Sequence, residues 1–189
     1  QKLGIKKIGH AGTLDPLATG LMLVGVGAGT KALHELIKLP KTYEADILIG
    51  IKTSTGDMEG EILERKKVVE ITNEKVEEAL KSLIGKTKLK VPAHSAIKVG
   101  GRRLYKLTRR GKVVDLPERE MEVLSAELKE LKGKDELYLA KAILEVGSGT
   151  YIRSLAEELG RRLGFPATVG DLRRLKIGQF RIEDATNIL

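Results

Sequence analysis

The amino-acid sequence predicts a single α+β domain over residues 1–189, built on a mainly antiparallel mixed sheet flanked by helices. Three observations support this fold class. Two segments carry apolar residues at helical spacing, several others are rich in aliphatic residues, and polar turns join neighbouring strands. Strands joined by short turns pair in antiparallel fashion, so we expect the helices to cover the sheet from outside.

The predicted strands form two hairpins. Residues 43–51 (YEADILIGI) are followed by the turn cluster TSTGDMEG and then by EILERKKVVE, which predicts the first hairpin. Residues 121–131 and 137–146 also have strand character. The intervening residues 132–135 (KGKD) predict the second hairpin turn.

Two amphipathic helices are predicted. Residues 74–84 place their apolar side chains on one helical face, with Thr72 or Asn73 available as N-cap and Gly85 available to end the helix. The second helix is expected over about residues 151–163. Gly164 can close it in a left-handed conformation.

The composition indicates a globular protein with a polyanionic partner. Apolar residues make up 41% of the chain, and 34 Lys and Arg against 26 Asp and Glu give a net charge of +8. Cysteine is absent, which excludes disulfides and cysteine nucleophiles and favours a cytoplasmic protein. No apolar stretch is long enough to span a bilayer. The scarcity of Asn and Gln beside many Lys and Glu is typical of proteins from hot environments.

The positive charge is concentrated in residues 86–114, where ten Lys or Arg occur without any acidic residue. Such charges repel one another unless an anion neutralises them, and nucleic-acid phosphates are the obvious anion. Gly100, Gly101 and Tyr105 favour a loop that contacts RNA. A solvated basic surface with no partner is the alternative.

A glycine-bounded segment near the start, residues 9–20 (GHAGTLDPLATG), contains one carboxylate, Asp15. Pro16 disfavours helix at Asp15 and keeps that residue extended. Local chemistry alone favours an Asx-type turn, and no phosphate-cradling GxxxxGK[ST] or GxGxxG pattern is present. A partly buried catalytic carboxylate would need a cationic partner, which the local pattern does not identify.

Five blocks of the sequence, in order, resemble the TruB-type pseudouridine synthases. The segment KKIGHAGTLDPLATGLMLVGVGAGTK is similar to the family signature, and KTYEADILIGIKTSTGDMEG to its second motif. VPAHSAIKVGGRRLYKLTRRG resembles the family's basic RNA-contacting insertion, here about residues 86–114. SGTYIRSLAEELG and DLRRLKIGQF resemble the third and fourth motifs. The resemblance implies the pseudouridine synthase fold.

The resemblance also implies an activity. Family enzymes break the N1 to C1′ bond of a uridine in RNA, turn the base, and rejoin it through C5. No redox change occurs, so no cofactor is expected. His10, His34 and His94 lie far apart without cysteine or HExxH spacing, so no metal site is expected either. The implied substrate is the T arm of tRNA, at loop uridine 55, and a monomer is expected.

The resemblance assigns roles to individual residues. Asp15 matches the essential aspartate, acting as nucleophile at C1′ or as the base that generates a glycal. Arg153 matches its arginine partner and Tyr151 a tyrosine that helps to deprotonate C5. Tyr43 matches the tyrosine that stacks on the target base. Leu172 matches an apolar residue that packs on the uracil, and His10 matches a histidine that occupies the space left by the everted base. Asp57 matches an acidic position near RNA, although its simpler interpretation is a β-turn residue.

The expected RNA contacts are basic side chains in two segments. They are Lys98, Arg102, Arg103, Lys106, Arg109, Arg110, Arg173 and Arg174. We also expect Tyr151 and Arg153 to lie on one face of an extended segment that enters the pocket before the second helix begins.

The chain departs from the family pattern at both ends. The family's leading strand with its Lys-Pro-x-Gly element and its C-terminal RNA-binding domain have no counterpart in residues 1–189. Three other functions remain open: a non-catalytic RNA-binding module, a dyskerin-type synthase acting on ribosomal RNA with a guide RNA, and a glycosidase-like hydrolase. The last would need a second carboxylate, which the sequence does not indicate.

Overall fold

The structure, a computed structural model, describes residues 4, 6–95, 97–99, 102–104 and 115–186. The helices are α1 (Leu33–Leu36), α2 (Asn73–Ser82) and α3 (Ile152–Leu163), with 3₁₀ turns at Gly27–Lys31 and Ile182–Asp184. The strands are β1 (Ile8–His10), β2 (Thr19–Gly20), β3 (Val24–Val26), β4 (Lys41–Ile49), β5 (Ile51–Thr53), β6 (Ile62–Arg65), β7 (Gly85–Lys90), β8 (Lys98–Val99), β9 (Arg102–Arg103), β10 (Glu118–Lys134), β11 (Leu137–Val146), β12 (Ala167–Ile177) and β13 (Phe180–Arg181).

One large mixed sheet organises the described residues, in the order β13-β12-β4-β11-β10-β7. Neighbours along this order pair in antiparallel fashion, whereas the short β2 pairs in parallel with β12. The predicted α+β class with a mainly antiparallel sheet is therefore confirmed.

The core lies between this sheet and helices α2 and α3. Ala45, Ile47 and Ile49 alternate along β4 and are at most 1% exposed, and they pack in one cluster with apolar residues of both helices. This alternation fixes which face of β4 is covered. Lys41 and Tyr43, at the odd-numbered positions that begin β4, therefore point to the same side of the sheet as Ala45.

The second predicted hairpin is confirmed, but its turn lies further along the chain. Lys134 pairs with Leu137, so the loop contains only Asp135 and Glu136. Both residues have positive φ, 50° and 67°, which is the backbone that a tight two-residue hairpin requires. The glycine at position 133, which suggested the turn, lies within strand β10.

The first predicted hairpin is smaller than expected. Strand β4 joins the large sheet, and only β5 and β6 pair locally. Gly50 separates β4 from β5 at a φ of 108°, where a Cβ would lie 2.9 Å from the Lys66 carbonyl. The chain can therefore change direction at this position only with glycine.

Both predicted helices form, with shifted ends. The Thr72 hydroxyl accepts a hydrogen bond from the Lys75 amide and caps α2, which ends at Ser82 because Gly85 begins β7. Helix α3 ends at Leu163, and its C-cap Gly164 is left-handed as predicted. It begins at Ile152, however, so Arg153 is helical and the expectation of an extended segment through Tyr151 and Arg153 is wrong.

The basic stretch divides into parts with different structures. Residues 86–90 belong to strand β7, where Lys86 pairs with Glu120 at 3.1 Å, so this part is an edge of the large sheet rather than an insertion. Lys98, Arg102 and Arg103 lie in the small β8–β9 hairpin, and their side chains are outside the described residues. Lys106, Arg109 and Arg110 also lie outside the described residues.

Candidate active site

A cleft of about 490 Å³ lies beside the loop that carries Asp15. Its walls include residues 12–16, the start of β4, residues 146–152 leading into α3, and part of β12. Four residues that the sequence predicted for the site line this cleft. They are Asp15, Tyr43, Tyr151 and Leu172.

Arg153 binds the Asp15 carboxylate in a bidentate ion pair. Its Nε lies 2.9 Å from Oδ2 and its Nη2 lies 3.0 Å from Oδ1. The Arg153 side chain is 3% exposed, while that of Asp15 is 32% exposed at the cleft. This charge-assisted pairing fixes the plane of the carboxylate and leaves part of it accessible.

Helix α3 positions this arginine. Tyr151 is the extended N-cap, with φ −104° and ψ 115°, and Arg153 lies in the first turn. Behind the Asp15 contact, Nη1 of Arg153 donates to the Thr55 carbonyl at 2.8 Å and lies 3.5 Å from the Asp57 carboxylate. The guanidinium is thus held from both sides.

Asp57 is a turn residue, the simpler of its two predicted roles, and it also faces Arg153. Its Oδ1 accepts hydrogen bonds from the Thr55 hydroxyl at 2.5 Å and from the Glu59 amide at 3.2 Å, as a turn aspartate does. The residue is only 3% exposed, and its other oxygen faces Arg153. Asp57 therefore belongs to the network behind Asp15.

Arg173 and Arg174, both predicted to contact RNA, differ in their exposure. Side chains alternate along β12, so Leu172 and Arg174 are buried while Arg173 is exposed. Arg174 is 1% exposed and its Nε donates to the Leu21 carbonyl at 2.7 Å. Arg174 is therefore a buried residue of the cleft lining.

The two tyrosines of the cleft are protonated at neutral pH. Burial raises the pKa of Tyr43, although a hydrogen bond from Arg174 opposes the rise. Burial is also the main cause that raises the pKa of Tyr151. Both side chains therefore present a neutral aromatic ring and a hydroxyl to the cleft.

His10 does not line the cleft. It lies on strand β1, paired opposite Val24, and is exposed. Sequence reasoning also missed several cleft-lining residues. They are Lys41, His94, Ser95 and Ser148. For Lys41 a signal was available, because it precedes Tyr43 by two positions on the same strand and must share its face.

Known proteins share this fold. A solved Cbf5-Nop10-Gar1 complex matches 95% of this chain and 43% of the other chain, with a TM-score of 0.68 and 25% identity. An H/ACA RNP bound to a substrate RNA containing 2′-deoxyuridine matches with a TM-score of 0.64 and 23% identity, covering 95% of this chain and 41% of the other.

Among the described residues, no helix is long and apolar enough to cross a membrane.

Sequence comparison gives a more specific relationship. A protein named tRNA pseudouridine synthase B from Thermosipho melanesiensis is 42% identical over 99% of this chain and 60% of its own length. Proteins of the same name from Mycobacterium bovis and Acaryochloris marina are 40% and 42% identical, over 97% and 96% of this chain and 61% and 62% of their own lengths. The family model described as TruB family pseudouridylate synthase (N terminal domain) matches residues 1–152. The chain, which spans about three-fifths of the length of these relatives, therefore belongs to the TruB family of pseudouridylate synthases.

Proposed function

We propose that residues 1–189 form a catalytic domain that converts a uridine of tRNA to pseudouridine, at position 55 in the loop of the T arm, as a cytoplasmic monomer. Membership of the family and the names of the relatives support tRNA as the substrate. The net charge of +8 favours a polyanion. The proposed RNA contacts are Arg173, Arg174 and the basic side chains at positions 98, 102, 103, 106, 109 and 110.

The observation that carries the proposal is the Asp15–Arg153 pair in the cleft. In the proposed reaction the N1 to C1′ bond of the uridine breaks, the uracil turns, and a C5 to C1′ bond forms. C5 loses its proton and N1 gains one, so the product is an isomer of the substrate. Asp15 acts either as the nucleophile at C1′ or as the base that generates a glycal. On both routes the carboxylate must approach the ribose at a fixed angle, which the two contacts from Arg153 favour.

The remaining cleft residues suit an everted base. The target uridine must leave the RNA stack at a cost of a few kcal/mol, and an aromatic face offsets part of this cost. We assign that face to Tyr43 and the opposing apolar contact to Leu172, which is 3% exposed. Because His10 lies away from the cleft, we propose that it acts on the RNA left behind rather than on the flipped base.

Tyr151 is assigned to the proton at C5. Burial raises the pKa of its phenol, so the group is neutral at physiological pH. It can accept the C5 proton only while passing its own proton on, either to solvent or to a carboxylate. Its position at the N-cap of α3, two residues from Arg153, favours Asp15 as that carboxylate.

The test measures tritium release from tRNA transcripts labelled at uridine C5. The parent chain should release tritium, and Asp15→Asn should release none while binding tRNA as tightly as the parent. Asp184→Asn, which changes an exposed carboxylate on a 3₁₀ turn, is the matched control and should retain full activity. Normal turnover by Asp15→Asn would refute the assigned role.

The same assay separates the proposal from its competitors. Binding without release by the parent would indicate a non-catalytic RNA-binding module. The structural likeness to Cbf5 complexes favours one further candidate, a guide-dependent enzyme. Release from ribosomal RNA fragments only after guide RNA is added would support that candidate, whereas release from unguided tRNA transcripts would exclude it.

A further inference from the structure

Two buried cations of the cleft lack an acidic partner. Lys41 is 6% exposed and Arg174 is 1% exposed. Neither takes part in any of the ion pairs formed among the described residues, in contrast to Arg153, which contacts two carboxylates. Buried charges are normally paired, because desolvation costs several kcal/mol per ion. Lys41 and Arg174 donate hydrogen bonds only to uncharged oxygens among the described residues, and such bonds offset only part of the desolvation cost.

Those neutral hydrogen bonds leave donors free toward the cleft. Nζ of Lys41 donates to the Ile37 carbonyl and to Ser148 Oγ, which occupies two of its three N–H groups. The Arg174 guanidinium donates through Nε to Leu21 and through Nη2 to Gly12, and it has five N–H groups in total. Even after a hydrogen bond to Tyr43, Arg174 retains donors for a further acceptor.

Both cations converge on one point beneath the loop that carries Asp15. A Cβ added at Gly12 would lie 3.6 Å from Nη1 of Arg174 and 3.9 Å from Cε of Lys41. Gly12 has a φ of 103°, which side-chain-bearing residues rarely adopt. The backbone thus passes close over both cations without a side chain covering them.

The two positive charges also repel each other. Burial and the charge of Arg174 together lower the pKa of Lys41 to about 8. An anion placed between the two groups would offset the repulsion and raise the pKa of Lys41 again. The arrangement therefore favours the binding of an anion between Lys41 and Arg174.

We propose that Lys41 and Arg174 form a binding site for a backbone phosphate of the RNA substrate, next to the target uridine. This inference rests on the proposed function, because Asp15 and the two cations line one cleft. A nucleotide whose C1′ reaches Asp15 brings its own flanking phosphates with it. A phosphodiester offers two unprotonated oxygens, which can accept from Lys41 and from Arg174 at once.

The test combines a charge-removing variant with RNAs that lack one backbone charge. Lys41→Gln keeps an N–H donor for the Ile37 carbonyl but removes the positive charge. The RNAs are a T-arm stem-loop and copies in which one phosphate on either side of the target uridine is replaced by a neutral methylphosphonate. Binding affinity is measured for each pair at several salt concentrations, and thermal unfolding checks that the variant is folded.

With unmodified RNA, Lys41→Gln should weaken binding roughly tenfold and reduce the salt dependence by about one phosphate contact. One methylphosphonate position should weaken binding of the parent by a similar factor and cause no further loss in Lys41→Gln. Lys38→Gln is the matched control: Lys38 lies three positions before Lys41, is exposed and pairs with Glu35, so this variant should bind as the parent does.

Three results would overturn the proposal. The first is that a folded Lys41→Gln variant binds RNA as tightly as the parent. The second is that the methylphosphonate and Lys41→Gln weaken binding independently, so that their effects multiply, at every position tested. The third is that no methylphosphonate position weakens binding of the parent. The last measurement needs no variant, so it can refute the proposal even if Lys41→Gln fails to fold. Tritium release by the parent, measured on the unmodified RNA, shows separately whether the proposed function holds.

Discussion

Replacement of Arg153 by lysine tests how far the cleft depends on the geometry of a cation rather than on its charge. Arg153 makes two contacts to Asp15 and one to the Thr55 carbonyl, and it also faces Asp57. A lysine at this position keeps the charge but places it on one atom. It can hold only one of the two Asp15 oxygens at a time.

The expected effect follows from the hydrogen bonds that a lysine cannot make. One charge-assisted hydrogen bond contributes about 1.5–3 kcal/mol, and the side chain at this position is too buried for water to replace it. If this bond orients Asp15 for reaction, its removal lowers the rate of the chemical step by roughly 10- to 150-fold. The Asp57 carboxylate, 4% exposed, also loses a partner, so the free energy of unfolding should fall by about 1–3 kcal/mol.

Single-turnover tritium release at saturating enzyme isolates the chemical step, and urea unfolding gives the stability. Arg161→Lys is the matched control, because Arg161 also holds a carboxylate with two 2.7 Å contacts on the same helix but is 71% exposed. It should leave the rate unchanged. A rate for Arg153→Lys within threefold of the parent would refute the geometric role, as would a loss found entirely in RNA affinity.

Two further predictions concern the walls of the cleft. In Lys41→Met the difference in unfolding free energy from the parent should change with pH. The pKa of Lys41 is about 8 in the folded parent and 10.5 in the unfolded chain, so the buried charge lowers the parent's free energy of unfolding fully below pH 8 and no longer above pH 10.5. Over that range the unfolding free energy of the parent should therefore rise by about 3 kcal/mol relative to that of the variant in urea titrations. A constant difference would contradict the burial argument. Gly20→Ala should lower the free energy of unfolding by more than about 2 kcal/mol in the same assay, because its Cβ would lie 2.3 Å from the Arg174 carbonyl at a φ of 104°. Gly29→Ala, whose Cβ meets nothing within 4 Å, is its control, and equal stabilities of the two variants would contradict the steric argument.

The parts of the fold that local rules determine were predictable. Apolar periodicity located α2 and α3, and Gly164 ended the second helix as its left-handed conformation requires. The hairpin of β10 and β11 was also predictable, but its turn was not. Asp135 and Glu136 adopt positive φ without glycine, so the pairing of long flanking strands, rather than turn propensity, determines the loop.

The site was less accessible to local reasoning, because its contacts join distant segments. Asp15 and Arg153 are 138 positions apart, and only a family resemblance suggested that they meet. Arg173 and Arg174 are chemically identical neighbours, yet strand alternation sends one to solvent and the other into the cleft. Without the register of β12 against β4, the sequence cannot distinguish them.

The position of Asp15 depends on contacts that Asp15 does not itself make. Helix α3 belongs to the core cluster, so Arg153 approaches the cleft from a rigid element. The loop of Asp15 returns to the large sheet through β2 and through the Leu21 amide, which donates to the Arg174 carbonyl at 2.8 Å. The side chain of Arg174 in turn donates to the carbonyls of Gly12 and Leu21, on either side of Asp15. One buried arginine therefore fixes both ends of the loop while another holds its carboxylate, and the proposed phosphate site uses the same residue that keeps the loop in place.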